Sequence, residues 1–171
     1  MEDKPTKVLL VEDNPGDARL MREMLAEASM TGALSSAFDL ECAGRLSTGL
    51  ERLSAGGIDI MLLDLSLPDS HGLDTFVKAR AQAPDMPMVV LSGFDDEALA
   101  IEAVREGAQD YLVKGQVNGS LLVRAIRYAI ERKRAAETLR ESQERFKSAF
   151  EFAAVGMALV KIGRASCRER V

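Results

Sequence analysis

Cysteine is nearly absent from this sequence. Cys42 and Cys167 have neither metal-ligand spacing nor a disulfide framework, which excludes a cysteine-built zinc site and favours a reducing compartment. No uninterrupted apolar run approaches the roughly 20 residues that span a bilayer. The polar opening, Met1 to Thr6, also lacks the basic-then-apolar order of a secretory signal. The expectation is a cytoplasmic protein with no membrane partner. A glycine-rich phosphate loop is missing, so nucleotide hydrolysis has no support. The single histidine, His71, falls in a loop beside Asp64, so no helix carries the phosphoaccepting histidine that a histidine kinase needs.

Positive charge is scarce where most of the chain lies. Residues 1–119 carry 21 acidic and 10 basic side chains, a net −11, whereas 120–160 and 161–171 are each +3. Nucleic-acid binding draws its affinity from neutralised phosphates, so an acidic domain of this kind argues against that partner. It suits a divalent cation instead.

What is present is a βα rhythm. The runs Lys7–Val11, Ile58–Leu63, Met88–Leu91 and Asp110–Val113 are short, β-branched or leucine-rich, and separated by amphipathic stretches of helical length. A weaker strand is expected at Phe38–Cys42. Helices are expected from Pro15 to about Ala28, Gly44 to Ser54 and Leu73 to about Gln82, then after the acids Asp95-Asp96-Glu97 and from near Ser120. Met30 to Leu34 should break the first helix, and Gly56-Gly57 and Gly107 should end others. Five βα units predict a doubly wound five-stranded parallel sheet of order 2-1-3-4-5. In such a sheet, ligands collect at the carboxyl ends of the strands.

Four polar residues stand where apolar runs stop: Asp13, Asp64, Ser92 and Lys114. Taken singly they have ordinary explanations, as a helix cap, a strand-end carboxylate, a turn serine and a surface lysine. Their recurrence at the ends of strands one, three, four and five points to a shared pocket. Glu12, Asp13 and Asp64 together would repel one another unless a positive charge compensates. Mg²⁺, a hard cation with oxygen ligands, is the expected cofactor: Asp13 and Asp64 direct, the Ser66 backbone carbonyl a third ligand, Glu12 through water. With Lys114 as a second positive charge and Ser92 as a hydroxyl donor, the pocket is built for a phosphoryl group. Asp64 would accept it as an aspartyl phosphate.

The segments Val11-Glu-Asp-Asn14, Leu63-Asp-Leu-Ser-Leu-Pro-Asp-Ser-His-Gly72, Leu91-Ser-Gly93 and Tyr111-Leu-Val-Lys114 resemble the receiver domain of bacterial two-component response regulators over about residues 6–130. The resemblance implies that Asp64 is the phosphoacceptor, that Glu12 and Asp13 belong to the metal pocket, that Ser92 is the switch hydroxyl, and that Tyr111 is an aromatic switch coupled to it. It also implies a histidine kinase or phosphotransfer protein as partner. Gly115 follows the lysine, where receivers usually carry proline. A signalling module rather than an enzyme is expected. The alternatives are an aspartate-nucleophile phosphatase, whose usual second aspartate is replaced here by Ser66, and a phosphorylation-independent scaffold.

From Ser120 to about Phe152 there is neither glycine nor proline, and Leu122, Ile126, Ala129, Ala136, Leu139, Phe146 and Phe150 recur close to a heptad with a stutter. The expected organisation is a receiver core (1–119), a last receiver helix continuing as a dimeric coiled-coil linker (120–145), and a start resembling a PAS domain (146–160). The latter is expected to comprise a helix and a first strand. An output such as a diguanylate cyclase, a cyclic-di-GMP phosphodiesterase or a histidine kinase would be missing. Residues 161–171 resemble the translation of a sequencing adapter, so a non-native tail is expected there and Cys167 should have no biological meaning.

Overall fold

The computed structural model describes residues 4–30, 37–93 and 97–166. The expected helix break at Thr31 to Leu34, the acids Asp95 and Asp96, and Cys167 with the last four residues lie outside the described residues. The chain divides into two units, residues 1–133 and 134–171.

In the first unit five strands form one parallel sheet: β1 (Thr6–Val11), β2 (Phe38–Ala43), β3 (Ile60–Asp64), and, later in the chain, β6 (Met88–Ser92) and β7 (Asp110–Val113). Their order is β2-β1-β3-β6-β7, the doubly wound arrangement expected from the βα rhythm. Two further strands, β4 (Ser66–Leu67) and β5 (Ser70–His71), pair antiparallel in a small hairpin where only a loop was expected. Two-residue strands leave no periodicity for a sequence to show.

Period-two alternation explains how the layers pack. Val8, Leu10, Ile60, Leu62, Val89 and Leu91 point to one face, covered by α1 (Pro15–Met30) and the start of α5 (Gly119–Ser166), through Met21, Leu25, Leu122 and Ile126. Leu9, Val11, Met61, Leu63 and Val90 point to the other. There they meet α2 (Leu46–Ser54), α3 (Leu73–Gln82) and α4 (Glu97–Arg105), through Leu46, Leu53, Phe76, Ala79, Ala100 and Ala103. Central strands are thus apolar on both sides, which is why they read as continuous hydrophobic runs. Gly49 lets α2 settle on β1: a Cβ there would lie 2.7 Å from Val11 Cγ2.

Two boundaries differ from the sequence reading. Helix α2 starts at Leu46 rather than Gly44, because Asp69 accepts the N–H groups of Leu46 and Ser47 and so caps the helix there. Helix α5 runs through Ser166, past the expected end near Phe152, and the strand expected to close 146–160 is helical. That stretch is rich in alanine, which favours helix, and an unpaired strand has no ladder to stabilise it. Leu122, Val123, Ile126 and Ala129 are buried, so the first turns of α5 belong to the core of the first unit. In the second unit Leu139, Phe146 and Phe150 are exposed, and the two phenylalanine rings stack with centroids 6.3 Å apart. Among the described residues no helix is long and apolar enough to cross a membrane.

Candidate functional site

The parallel register brings the separated polar residues to one edge of the sheet. Asp64 ends β3 opposite Leu91, and Ser92 ends β6 opposite Val113. Lys114 follows directly, and its backbone N–H donates to the Ser92 carbonyl at 2.9 Å. At the end of β1 the Glu12 N–H extends the ladder to Ala43 O at 2.9 Å. The chain then turns into α1, whose cap is Asn14: its Oδ1 accepts from Gly16 N at 2.8 Å and Asp17 N at 3.4 Å. Because Asn14 serves as the cap, Asp13 is not needed for it. The Asn14 N–H meanwhile donates to Glu12 Oε1 at 3.0 Å, which turns the Glu12 side chain inward.

One ammonium gathers three carboxylates. Lys114 Nζ donates to Asp64 Oδ2 at 2.8 Å and to Asp17 Oδ2 at 3.2 Å, and lies 2.6 Å from Glu12 Oε2 in ion-pair contact. The Glu12 side chain is wholly buried and that of Asp64 nearly so. Burial alone would lower the lysine pKa, but hydrogen bonds to Asp64 and Glu12 outweigh it and hold the ammonium above its ordinary value. For Glu12 the balance runs the other way. Desolvation outweighs Lys114 and the Asn14 N–H, and with the charge of Asp64 it raises the carboxyl pKa.

Negative charge is therefore in excess. Glu12, Asp13 and Asp64 each offer a carboxylate oxygen, and these oxygens lie within 4.8 Å of one another. A donor set of hard oxygens at that separation, with two members buried, matches what a small divalent cation requires. Ser66 N–H donates to Asp64 Oδ1 at 3.1 Å, so both oxygens of that carboxylate are held. Ser92 is buried, and its Oγ has no hydrogen-bond partner among the described residues. A buried hydroxyl without a partner costs about 1–3 kcal/mol, and an acceptor oxygen delivered to the pocket would remove that cost.

Glu12, Asp13, Asp64, Ser92 and Lys114 thus converge, with Ser66 attached through its backbone. Tyr111 lies on β7, next to the strand that ends in Ser92. It is half-buried in β7, opposite Val90, and packs with the core on the α2–α4 face. Ser92, two residues beyond Val90, points to that same face. The Lys114–Gly115 peptide is trans. His71 is exposed in β5. Two acids that the sequence reading did not single out also belong here: Asp17, on the third carboxylate contact of Lys114, and Asp69, on the hairpin after Asp64. For Asp17, an acid in the first turn of α1, the sequence offers only its place near the end of β1, since Lys114 is 97 residues away. For Asp69 it offers no signal, because its partners are 22 and 23 residues away.

Comparison with known proteins gives one consistent answer. The profile of the response regulator receiver domain matches residues 8–127. The swarming motility regulation protein RssB of Serratia marcescens is 36% identical over 108 residues, 63% of this chain and 45% of that protein. The regulatory protein LuxO of Vibrio cholerae is 32% identical over 105 residues, 61% of this chain and 21% of that protein. The chain therefore spans less than half the length of these curated relatives. A response regulator receiver domain protein from Clostridium thermocellum superimposes with a TM-score of 0.65 at 27% identity, over 77% of this chain and 98% of that one. With the fold, the acidic pocket and the sequence match in agreement, the chain belongs to the response regulator receiver family.

Proposed function

We propose that this receiver takes a phosphoryl group from a histidine kinase or phosphotransfer protein onto Asp64. The single observation that carries this is a nearly buried Asp64 whose oxygens are oriented by Ser66 N–H and Lys114, beside two further acids and an unpartnered Ser92 hydroxyl. An Asp64 oxygen attacks phosphorus in line, forming the O–P bond as the bond from phosphorus to the donor nitrogen breaks, its electron pair leaving with the donor. Lys114 pairs with the incoming phosphoryl oxygens, and Ser92 donates its hydroxyl to one of them. Glu12, Asp13, Asp64 and the Ser66 carbonyl would hold Mg²⁺, which when bound supplies neutralisation of phosphoryl charge. Ser92 and Tyr111, on one face of the sheet, would carry the change of state toward α4.

Incubation with Mg²⁺ and acetyl phosphate should leave one phosphoryl group per chain, labile to base and to hydroxylamine. Asp64→Asn should abolish the label. Labelling that survives this substitution would identify a different acceptor, and sustained turnover of small phosphate esters would favour the phosphatase alternative.

The same reading puts the module in the cytoplasm, where its change of state would control a downstream output. The exposed Leu139, Phe146 and Phe150, 60%, 72% and 69% accessible, support a homodimer in which the distal part of α5 forms a coiled coil with a second copy. A PAS-like start after residue 145 rests on sequence resemblance alone.

A further inference from the structure

Helix α2 begins without a cap of its own. Its N-cap residue, Arg45, has the extended backbone of a cap (φ −146°, ψ 151°) but its side chain makes no capping bond. The cap is supplied from elsewhere in the chain: Leu46 N–H donates to Asp69 Oδ1 and Ser47 N–H to Asp69 Oδ2, both at 2.9 Å. A carboxylate accepting two N–H groups at a helix N-terminus is a strong, charge-assisted arrangement. Burial opposes ionisation of Asp69, but these N–H groups outweigh it and bring its pKa down to about 2, so the clamp is anionic at any physiological pH.

Asp69 occupies the turn of the β4–β5 hairpin, between the pairs Ser66↔His71 and Leu67↔Ser70. The base of the hairpin is closed by Gly72 N–H to Leu65 O at 2.7 Å, with Gly72 at φ +65° and ψ −151°, a conformation open to glycine. Its far strand is tied to α3 by the Thr75 hydroxyl and Ser70 Oγ, 3.0 Å apart. The near strand starts at Ser66, whose N–H holds Asp64 Oδ1. The hairpin is therefore anchored at its tip to α2 and at its root to the Asp64 carboxylate.

We propose that Asp69 is a positioning residue for Asp64, acting through the β4–β5 hairpin. The proposal rests on Asp64 as phosphoacceptor. With the tip fixed, Ser66 is fixed, and the carboxylate is presented at one angle. With the tip released, the hairpin keeps its two ladder pairs but loses its register against α2, and the Ser66 bond to Oδ1 loosens. Misplacement of a reacting group by a fraction of an ångström is enough to slow a transfer step severalfold or more.

The test separates positioning from simple helix stabilisation. Asp69→Ala removes both effects, whereas Arg45→Ser added to it gives α2 a local cap and leaves the hairpin untethered. Asp69→Ala is expected to lower the melting temperature and to slow labelling by acetyl phosphate about tenfold. The double variant should regain the melting temperature yet label as slowly as the single one. Hydrogen exchange provides a readout independent of phosphorylation: amides of 65–72 should exchange faster in both variants, and those of 46–54 only in Asp69→Ala. Labelling that recovers together with melting temperature would overturn the proposal, as would a single variant labelling at the parental rate. If the parent itself takes no label, the phosphoacceptor reading fails, and unchanged exchange at 65–72 would then refute the clamp.

Discussion

Replacing Lys114 with methionine keeps the apolar stem of the side chain and removes its charge. Three carboxylates then lose their shared ammonium, at 2.6 Å for Glu12, 2.8 Å for Asp64 and 3.2 Å for Asp17. Removing one partner of a buried ion pair costs about 3–5 kcal/mol, because the remaining charge is left desolvated and unpaired. Lys114 retains 19% exposure and Asp17 opens to solvent, so the low end, about 3 kcal/mol, is expected at pH 8 without divalent cations. Against a total of about 5–15 kcal/mol for a domain, that loss is easily measured.

Two further arms follow from the same geometry. The carboxyl of Glu12 is already raised, so its ionisation opposes folding: stability is fully present below about pH 4.5 and is lost as pH rises through the folded pKa. Without Lys114 that pKa rises further, and proton uptake limits the loss as pH falls. The raised ammonium of Lys114 contributes fully below about pH 10.5 and fades only above it, so parent and variant should differ less at pH 5 than at pH 8. Mg²⁺ at ten times its dissociation constant should return about 1.4 kcal/mol. Urea unfolding followed by circular dichroism, at both pH values and with EDTA or Mg²⁺, measures all three. A loss under about 1 kcal/mol at pH 8 in EDTA, or one equal at pH 5, would refute the electrostatic account.

Asp13→Asn should remove most of the Mg²⁺-induced rise in melting temperature while leaving the metal-free protein at least as stable, since one acid leaves a crowded cluster; a parental response to Mg²⁺ would count against the pocket. Gly49→Val should cost about 1–3 kcal/mol in urea unfolding, because a Cβ at 2.7 Å from Val11 Cγ2 forces α2 off the sheet. A chain ending at Lys133 keeps the buried turns of α5 and should sediment as a monomer, whereas one ending at Phe152 should self-associate. Equal monomeric masses would remove the coiled coil.

The sheet and the main site residues were legible because their signals are local. Each buried strand is a short apolar run, and the clustered polar residues stand where such runs end, so chain position alone assigns them to the common edge. Pairing within the sheet then supplies the long-range step without further information. Asp17 and Asp69 show where this stops. Nothing near Asp17 announces that Lys114, 97 residues later, will reach it. Asp69 reads as a turn residue after Pro68, and only the packing of α2 beside the hairpin makes it a helix cap. The fate of 146–160 was illegible for a different reason: its alanines favour helix while its phenylalanines and valines suit a strand, and a strand requires partners.

What the site shares with the rest of the fold is its packing, and what sets it apart is its lack of compensation. Elsewhere among the described residues buried polar side chains are matched, as Thr75 is with Ser70. At the sheet edge desolvation raises the carboxyl pKa of a buried glutamate, three acids offer oxygens within 4.8 Å of one another, and a buried serine hydroxyl has no partner among the described residues. Each of these raises the free energy of the folded chain, and a hydrophobic or amide substitute would lower it. Two guests would relieve them: positive charge between the carboxylates, and an anionic oxygen within reach of Ser92 and Lys114. On the proposed function, complementarity of charge rather than of shape makes these groups a binding site, and stability surrendered there would be recovered on binding.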